Sequence, residues 1–224
     1  MPYTQGKSII KIAVADDHEM FRELVSSHID SIENCKVVIQ AANGRELLDK
    51  METKPNTDLV LLDISMPELN GYDAAKALKE KYPDVKILFC SMHNNEMALC
   101  RMIAVGGNGC VNKGAQLSEL RKAFYELMKN GQYFPMISGK AAYGDRDKHK
   151  KGKQQGIDFS ETELKFMQLV CTEKTYKQIA SDMDLSDRQV DYLREGLFAK
   201  FDVHCRVGLA LGVFYSGILT EIAA

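Results

Sequence analysis

Leu59-Val60-Leu61-Leu62-Asp63 is a run of four branched aliphatic residues that stops on a carboxylate, and three other stretches repeat its form. Ile9-Ile10-Lys11-Ile12-Ala13-Val14-Ala15 runs into Asp16 and Asp17, Lys86-Ile87-Leu88-Phe89-Cys90 into Ser91, and Gly109-Cys110-Val111-Asn112 into Lys113. Short, mostly apolar runs bounded by polar residues are the pattern of strands buried on both faces of a parallel sheet. Ligand sites of open α/β sheets lie outside the carboxyl ends of the strands. The four runs therefore predict that three carboxylates, a hydroxyl and an ammonium converge at one end of a sheet.

Three carboxylates in one pocket repel each other and call for a counter-ion. Mg²⁺ suits them, because it takes hard oxygen ligands and is commonly held by one or two carboxylates, waters and phosphate oxygens. A carboxylate in such a place can attack a phosphoryl group and form an acyl phosphate. Lys113 would then offset charge on a phosphoryl oxygen, and Ser91 would donate a hydrogen bond to another. Taken singly, an Asp at a strand end is ordinarily a turn former and a Lys a solvated charge. Five such residues, each at a strand end, carry the reading together.

Amphipathic helical patterns separate the runs. Phe21, Leu24, Val25, Ile29 and Ile32 share one face; Ala74, Ala77 and Leu78 share another; Leu117, Leu120, Phe124, Leu127 and Met128 a third. Five βα units in sequence predict an α/β domain, a flavodoxin-like doubly wound (βα)5 sheet, over residues 8–132. From Ser138 to Gly156 apolar periodicity disappears, and 133–156 reads as a linker. Residues 157–224 predict a second, smaller all-α domain. Ser160 with Glu163, and Ser186 with Gln189, have capping-box spacing. The short helix around Tyr176–Met183, the tight turn at Asp184-Leu185-Ser186 and the longer helix carrying Val190, Leu193, Leu197 and Phe201 form a helix-turn-helix pattern.

Ala15-Asp16-Asp17-His18 with Arg22, Leu62-Asp63-Ile64-Ser65-Met66-Pro67-Glu68-Leu69-Asn70-Gly71, Ser91-Met92-His93 and Val111-Asn112-Lys113 resemble the receiver domain of two-component response regulators. The resemblance implies that Asp63 is the phospho-acceptor, with a histidine kinase as partner. It also implies that Asp17 and Asp63 bind Mg²⁺ directly, Asp16 through water, and that the Ser65 backbone carbonyl completes the protein ligands. Cys110 stands where many receivers carry a switch aromatic, and Gly114 where many carry proline. Downstream, Ser160-Glu161-Thr162-Glu163, Gln178-Ile179-Ala180, Leu185-Ser186, Val190, Lys200-Phe201-Asp202-Val203 and Arg206 resemble the LuxR-type DNA-binding domain. The pair resembles a response regulator of the NarL/FixJ type. Such a protein is expected to control transcription and to form a homodimer when phosphorylated.

The charge distribution bears on DNA binding, since phosphate neutralisation by Lys and Arg supplies most nonspecific affinity. Residues 157–224 hold seven Lys and Arg against eleven Asp and Glu, whereas 140–156 hold six against two. Asp191 and Glu195 occupy positions that are commonly lysine in the family. Lys177, Arg188, Gln189, Tyr192, Arg194 and Lys200 remain as candidate DNA contacts. The alternative expectation is a phosphorylation-controlled protein-interaction module that has lost DNA binding. The apolar set Val207, Leu209, Ala210, Leu211, Val213, Phe214, Ile218 and Leu219 exceeds what a small domain easily buries, which favours association.

Hydrophobic residues make up 45% and charged residues 27% of the 224, an ordinary globular balance that argues against a disordered chain. The uncharged stretch Val207–Thr220 is too short for a comfortable membrane span, and Met1–Lys7 lacks an apolar signal core. Six scattered cysteines without C-x-x-C spacing read as reduced thiols of a cytoplasmic protein. Neither a Walker A loop nor a G-x-S-x-G elbow is present, so no enzyme is expected beyond the receiver's own phosphorylation and dephosphorylation.

Overall fold

The computed structural model describes residues 9–92, 95–135, 159–216 and 218. Of the expected linker, all but 133–135 lies outside these residues, as does Leu219. Contacts divide the chain into two units, Met1–Asn94 with Val105–Tyr133, and Asn95–Ala104 with Phe134–Ala224.

The first unit is built on a five-stranded sheet of order β2-β1-β3-β4-β5, parallel throughout. Its strands are β1 (Ile10–Ala15), β2 (Cys35–Ala41), β3 (Leu59–Asp63), β4 (Lys86–Ser91) and β5 (Gly109–Asn112). Helices α1 (Glu19–Ser31), α2 (Gly44–Thr53), α3 (Gly71–Lys81) and α5 (Leu117–Asn130) belong with it. Helix α4 (Glu96–Ala104), between β4 and β5 in the chain, groups by contacts with the second unit. Ala98, Leu99, Cys100, Met102 and Ile103 of α4 are all buried, a run that covers more than one helix face.

The four quoted runs form β1, β3, β4 and β5. Strand β2, one of the two edges of the sheet, has no such run, with Lys36 and Gln40 exposed between buried Cys35, Ile39 and Ala41. Along the strands, Ile12, Val14, Leu59, Leu61, Leu88, Cys90 and Val111 cluster with Val25, Ile29, Leu120, Phe124 and Leu127. The alternating residues Ala13, Val60, Leu62, Ile87 and Phe89 are equally buried, so both faces of the sheet are covered. At about 25 cal/mol per Å² of apolar area removed from water, this two-faced burial is the main term holding the strand ends in place.

Three helical residues depart from the expected core. Leu24 is 65% exposed, because the buried row of α1 runs through Val25 and Ile29, and Leu24 sits about 100° away from it. Leu117 and Met128 are exposed at the two ends of α5, whose buried row is Leu120, Ala123, Phe124 and Leu127.

The C-terminal helices are α6 (Glu161–Val170), α7 (Tyr176–Asp182), α8 (Asp187–Phe201) and α9 (Arg206–Ser216). Both expected capping boxes form, and a third joins Thr175 to Gln178 at the start of α7. The α7–α8 turn closes with Leu185 N–H donating to Ala180 O at 2.9 Å, and Asp184 adopts φ +53° there. Buried Arg206 donates to the carbonyls of Val170, Thr172 and Lys174 at 3.0, 3.0 and 2.7 Å. These are orphan acceptors at and beyond the end of α6, so the guanidinium serves as its C-terminal cap. Val207, Leu209, Ala210, Leu211 and Val213 are already buried within the single chain. The chain itself thus covers these five, while Phe214 and Ile218 of the same set are half-buried.

Candidate functional site

Strand register brings the predicted polar residues to one end of the sheet. Ala15 pairs with Leu62, so Asp16 and Asp63 follow at the same level. Asp63 pairs with Cys90, immediately before Ser91, and Ser91 pairs with Asn112, immediately before Lys113. Lys113 N–H donates to Ser91 O at 3.0 Å, which carries the alignment one residue past the end of β5. Asp16, Asp63 and Ser91 are 2%, 4% and 5% exposed.

Lys113 Nζ lies 2.8 Å from Asp16 Oδ2 and 2.8 Å from Asp63 Oδ2. Its ammonium also stands 5.3 Å from the centroid of the Phe21 ring. Burial acts to lower the Lys113 pKa, but the two carboxylates outweigh it and hold the amine charged above its usual range. Burial pushes the Asp63 carboxyl up. Lys113 opposes that, Asp16 adds to it, and the net is a raised value. One Asp63 oxygen, Oδ1, accepts from Ile64 N–H at 2.7 Å. The other, Oδ2, is buried and held by Lys113 Nζ.

The loop after β3 holds this geometry. Gly71 N–H donates to Ile64 O at 2.9 Å, and Leu69 N–H to Pro67 O at 2.7 Å. Asn70 caps α3 by accepting from Tyr72 N–H and Asp73 N–H. On the β1 side, Asp16 Oδ1 accepts from His18 N–H at 2.9 Å, and Arg22 Nη1 donates to Asp16 O at 2.6 Å. Arg22 thus braces the Asp16 backbone from the first turn of α1.

Ligand atoms of Asp16, Asp17, His18 and Asp63 all lie within 4.8 Å of one another. A hard divalent cation fits this donor set of two buried carboxylates and one exposed one. His18 is the member of the group that reading the sequence for carboxylates missed. Its Nδ1 sits 2.7 Å from Asp17 Oδ1 and 3.4 Å from Asp16 Oδ1. Adjacency to the Asp16-Asp17 pair was its available signal. Cys110 pairs with Phe89 in the sheet and is buried, so it supplies no ring at the place noted above.

Comparison with known proteins fits this geometry. The model of the response regulator receiver domain matches residues 12–125. The chain belongs to this family. A second model, that of the bacterial regulatory proteins of the luxR family, matches residues 158–213. This response regulator is 28% identical over 217 residues to response regulator GacA of Pseudomonas syringae pv. syringae, an alignment covering 96% of this chain and 100% of that one. It is 25% identical over 201 residues to response regulator UvrY of Escherichia coli K12, covering 90% and 92%. Among solved structures, the signal receiver domain of response regulator NarL from Mycobacterium tuberculosis matches with 26% identity and a TM-score of 0.52. That match covers 55% of this chain and 98% of the other. The protein is therefore a response regulator, with a receiver and a LuxR-type DNA-binding domain of the kind found in transcription regulators.

The six candidate DNA contacts separate into two groups. Lys177, Arg188, Gln189 and Tyr192 are exposed, Tyr192 by 79%. Arg194 and Lys200 are engaged internally. Arg194 Nη1 pairs with Asp191 Oδ1 at 3.0 Å, and Lys200 Nζ with Glu163 Oε1 at 2.7 Å while standing 5.1 Å from the Phe159 ring. Lys174 is paired with Asp182 and Arg206 is turned inward. Four of the seven cations of this region are thus already satisfied within it. Among the described residues no helix is long and apolar enough to cross a membrane.

Proposed function

We propose that this response regulator accepts a phosphoryl group on Asp63 from a histidine kinase or a small acyl phosphate. The observation that carries the reading is Asp63 Oδ2: a buried carboxylate oxygen held by the Lys113 ammonium, which it shares with Asp16. An Asp63 oxygen attacks phosphorus, the bond from phosphorus to the donor's nitrogen or oxygen breaks, and the donor leaves as imidazole or carboxylate. Lys113 then moves from balancing two carboxylates to pairing with the new phosphoryl oxygens. Ser91, one residue beyond the sheet partner of Asp63, donates its hydroxyl to another oxygen. Asp17 and Asp63, with the Ser65 carbonyl and Asp16 through water, would hold Mg²⁺. The ion supplies charge neutralisation at the phosphoryl oxygens. In this reading the receiver, 8–132, catalyses its own phosphorylation and dephosphorylation, and the protein works in the cytoplasm.

The phosphoryl group, carrying roughly −2 where the carboxylate carried −1, would shift Ser91 and the following loop and favour a homodimer. The output domain, 157–224, then binds paired DNA half-sites through α8, with Lys177, Arg188, Gln189 and Tyr192 exposed for contact and the linker 133–156 adding positive charge. A second reading rests on the internal pairing of Arg194 and Lys200 beside exposed Asp191 and Glu195. In it, the domain is a protein-interaction module.

The test of the input is Mg²⁺-dependent phosphoryl uptake from acetyl phosphate by wild type and by Asp63→Asn, and only wild type should gain phosphate. The two output readings separate in a genome-wide DNA pull-down with beryllofluoride-treated protein at two salt concentrations. Enriched sites that weaken steeply with salt support transcription control. A protein partner with no enriched site supports the second reading.

A further inference from the structure

The exposed N-terminal half of α8 carries few groups that can read bases. In helix-turn-helix proteins that half of the second helix meets base edges in the major groove. Here its exposed residues are Asp187, Arg188, Gln189, Asp191, Tyr192 and Glu195. Gln189 Oε1 is occupied by the capping box, accepting from Ser186 N–H at 2.9 Å and Ser186 Oγ at 2.8 Å. It therefore lacks the free acceptor that a bidentate contact to adenine requires.

Asp191 differs from the other acids of this surface in being held in one place. Its Oδ1 is paired with Arg194 Nη1 at 3.0 Å. The Arg194 guanidinium lies 5.3 Å from the centroid of the Tyr176 ring. Tyr176 stacks on fully buried Phe166 with centroids 6.3 Å apart and rings 7° from parallel, and Arg206, anchored on three carbonyls, also stands 5.2 Å from its centroid. The chain of contacts runs from the domain core, through one ring and one guanidinium, to a carboxylate whose side chain is 56% exposed. Glu195, one turn further along, has no ion-pair partner among the described residues.

The pairing has two consequences. It orients the carboxylate before any ligand arrives, which lowers the ordering cost of binding. It also offsets the negative charge that would otherwise repel DNA phosphates, while Oδ2 remains able to accept. Carboxylates accept from the N4 amino group of cytosine, which no other base presents in the major groove in that position.

We propose that Asp191 is a specificity-determining residue of this output domain and reads cytosine, with Arg194 as its positioning residue. The inference rests on the DNA-binding reading above and narrows it to one base. It is tested by selection from random-sequence duplexes with the full-length, beryllofluoride-treated protein, followed by sequencing. Wild type should enrich a motif with cytosine at one position of each half-site, preferred over other bases by roughly tenfold. Asp191→Asn should turn that one column from cytosine to adenine, since Asn pairs with the N6/N7 edge, and leave the other columns alone. Arg194→Gln should flatten the same column only, and Arg194→Lys should restore it. Any result in which Asp191→Asn alters no column, or alters others instead, overturns the proposal while leaving DNA binding intact. If wild type enriches no motif, the DNA-binding reading itself falls, and this proposal with it. Thermal melts of each variant confirm that the domain is folded in every selection.

Discussion

The backbone of Gly71 lies against that of Asp63 so closely that a Cβ on the glycine would stand 2.1 Å from Asp63 O. The first residue of α3 thereby fixes the carbonyl of the proposed acceptor. Gly71→Ala should cost about 2 kcal/mol as the loop is forced away, with slower phosphoryl uptake because Asp63 moves with it. Gly196, in mid-α8, has nothing within 4 Å of where a Cβ would go. Gly196→Ala should therefore stabilise the protein by about 0.5–1 kcal/mol. Urea melts of the two variants should move in opposite directions.

Lys113 holds two buried carboxylates apart from open repulsion. Lys113→Met leaves Asp16 and Asp63 without their shared cation and should destabilise the protein by about 3 kcal/mol. Mg²⁺ should recover part of that loss. A melt that does not shift in metal-free buffer would contradict the role assigned to the lysine.

Asp63→Asn should act with the opposite sign. The folded protein holds the Asp63 proton more tightly than the unfolded chain, chiefly through burial, with Asp16 adding to it. Stability from this group is therefore complete below the unfolded carboxyl pKa and lost as pH rises through the higher folded value. Removing the charge removes that loss. In metal-free buffer, Asp63→Asn should melt above wild type at neutral pH, with the gap closing as pH falls through the carboxylate range.

The thiols should show unequal reactivity. Burial pushes Cys90, Cys100 and Cys171 up to about 12, and Cys110 higher still. Cys205 is the one cysteine that is partly exposed. A disulfide reagent at pH 8 should label Cys205 alone in the native protein and all six thiols after unfolding. Rapid native labelling of Cys110 would contradict the buried position described for it.

Much of the receiver was legible because its chemistry sits where strands end. Apolar runs buried on both faces announce themselves, and the residue after each run must lie at the carboxyl edge, so Asp16, Asp63, Ser91 and Lys113 could be grouped before any register was known. Edge strand β2, buried only in part, left no such run. Leu24, Leu117 and Met128 were misplaced because an apolar residue beside the buried row of a helix resembles one in it. On α8, the i,i+3 spacing of Asp191 and Arg194 made that pair readable on the helix itself. That Lys200 is spent on Glu163, 37 residues away, depends on side chains brought together by tertiary packing. The third capping box, Thr175 with Gln178, has the same spacing as the two recognised and was readable by the same rule.

The central claim is that Asp63 carries the phosphoryl group. Borohydride reduces an aspartyl phosphate to homoserine, which marks the acceptor by position. Protein treated with acetyl phosphate and Mg²⁺, reduced and mapped by peptide mass spectrometry, should contain homoserine at residue 63 and aspartate at 16 and 17. Homoserine at another position, or none at 63 in protein that has taken up phosphate, would contradict the account.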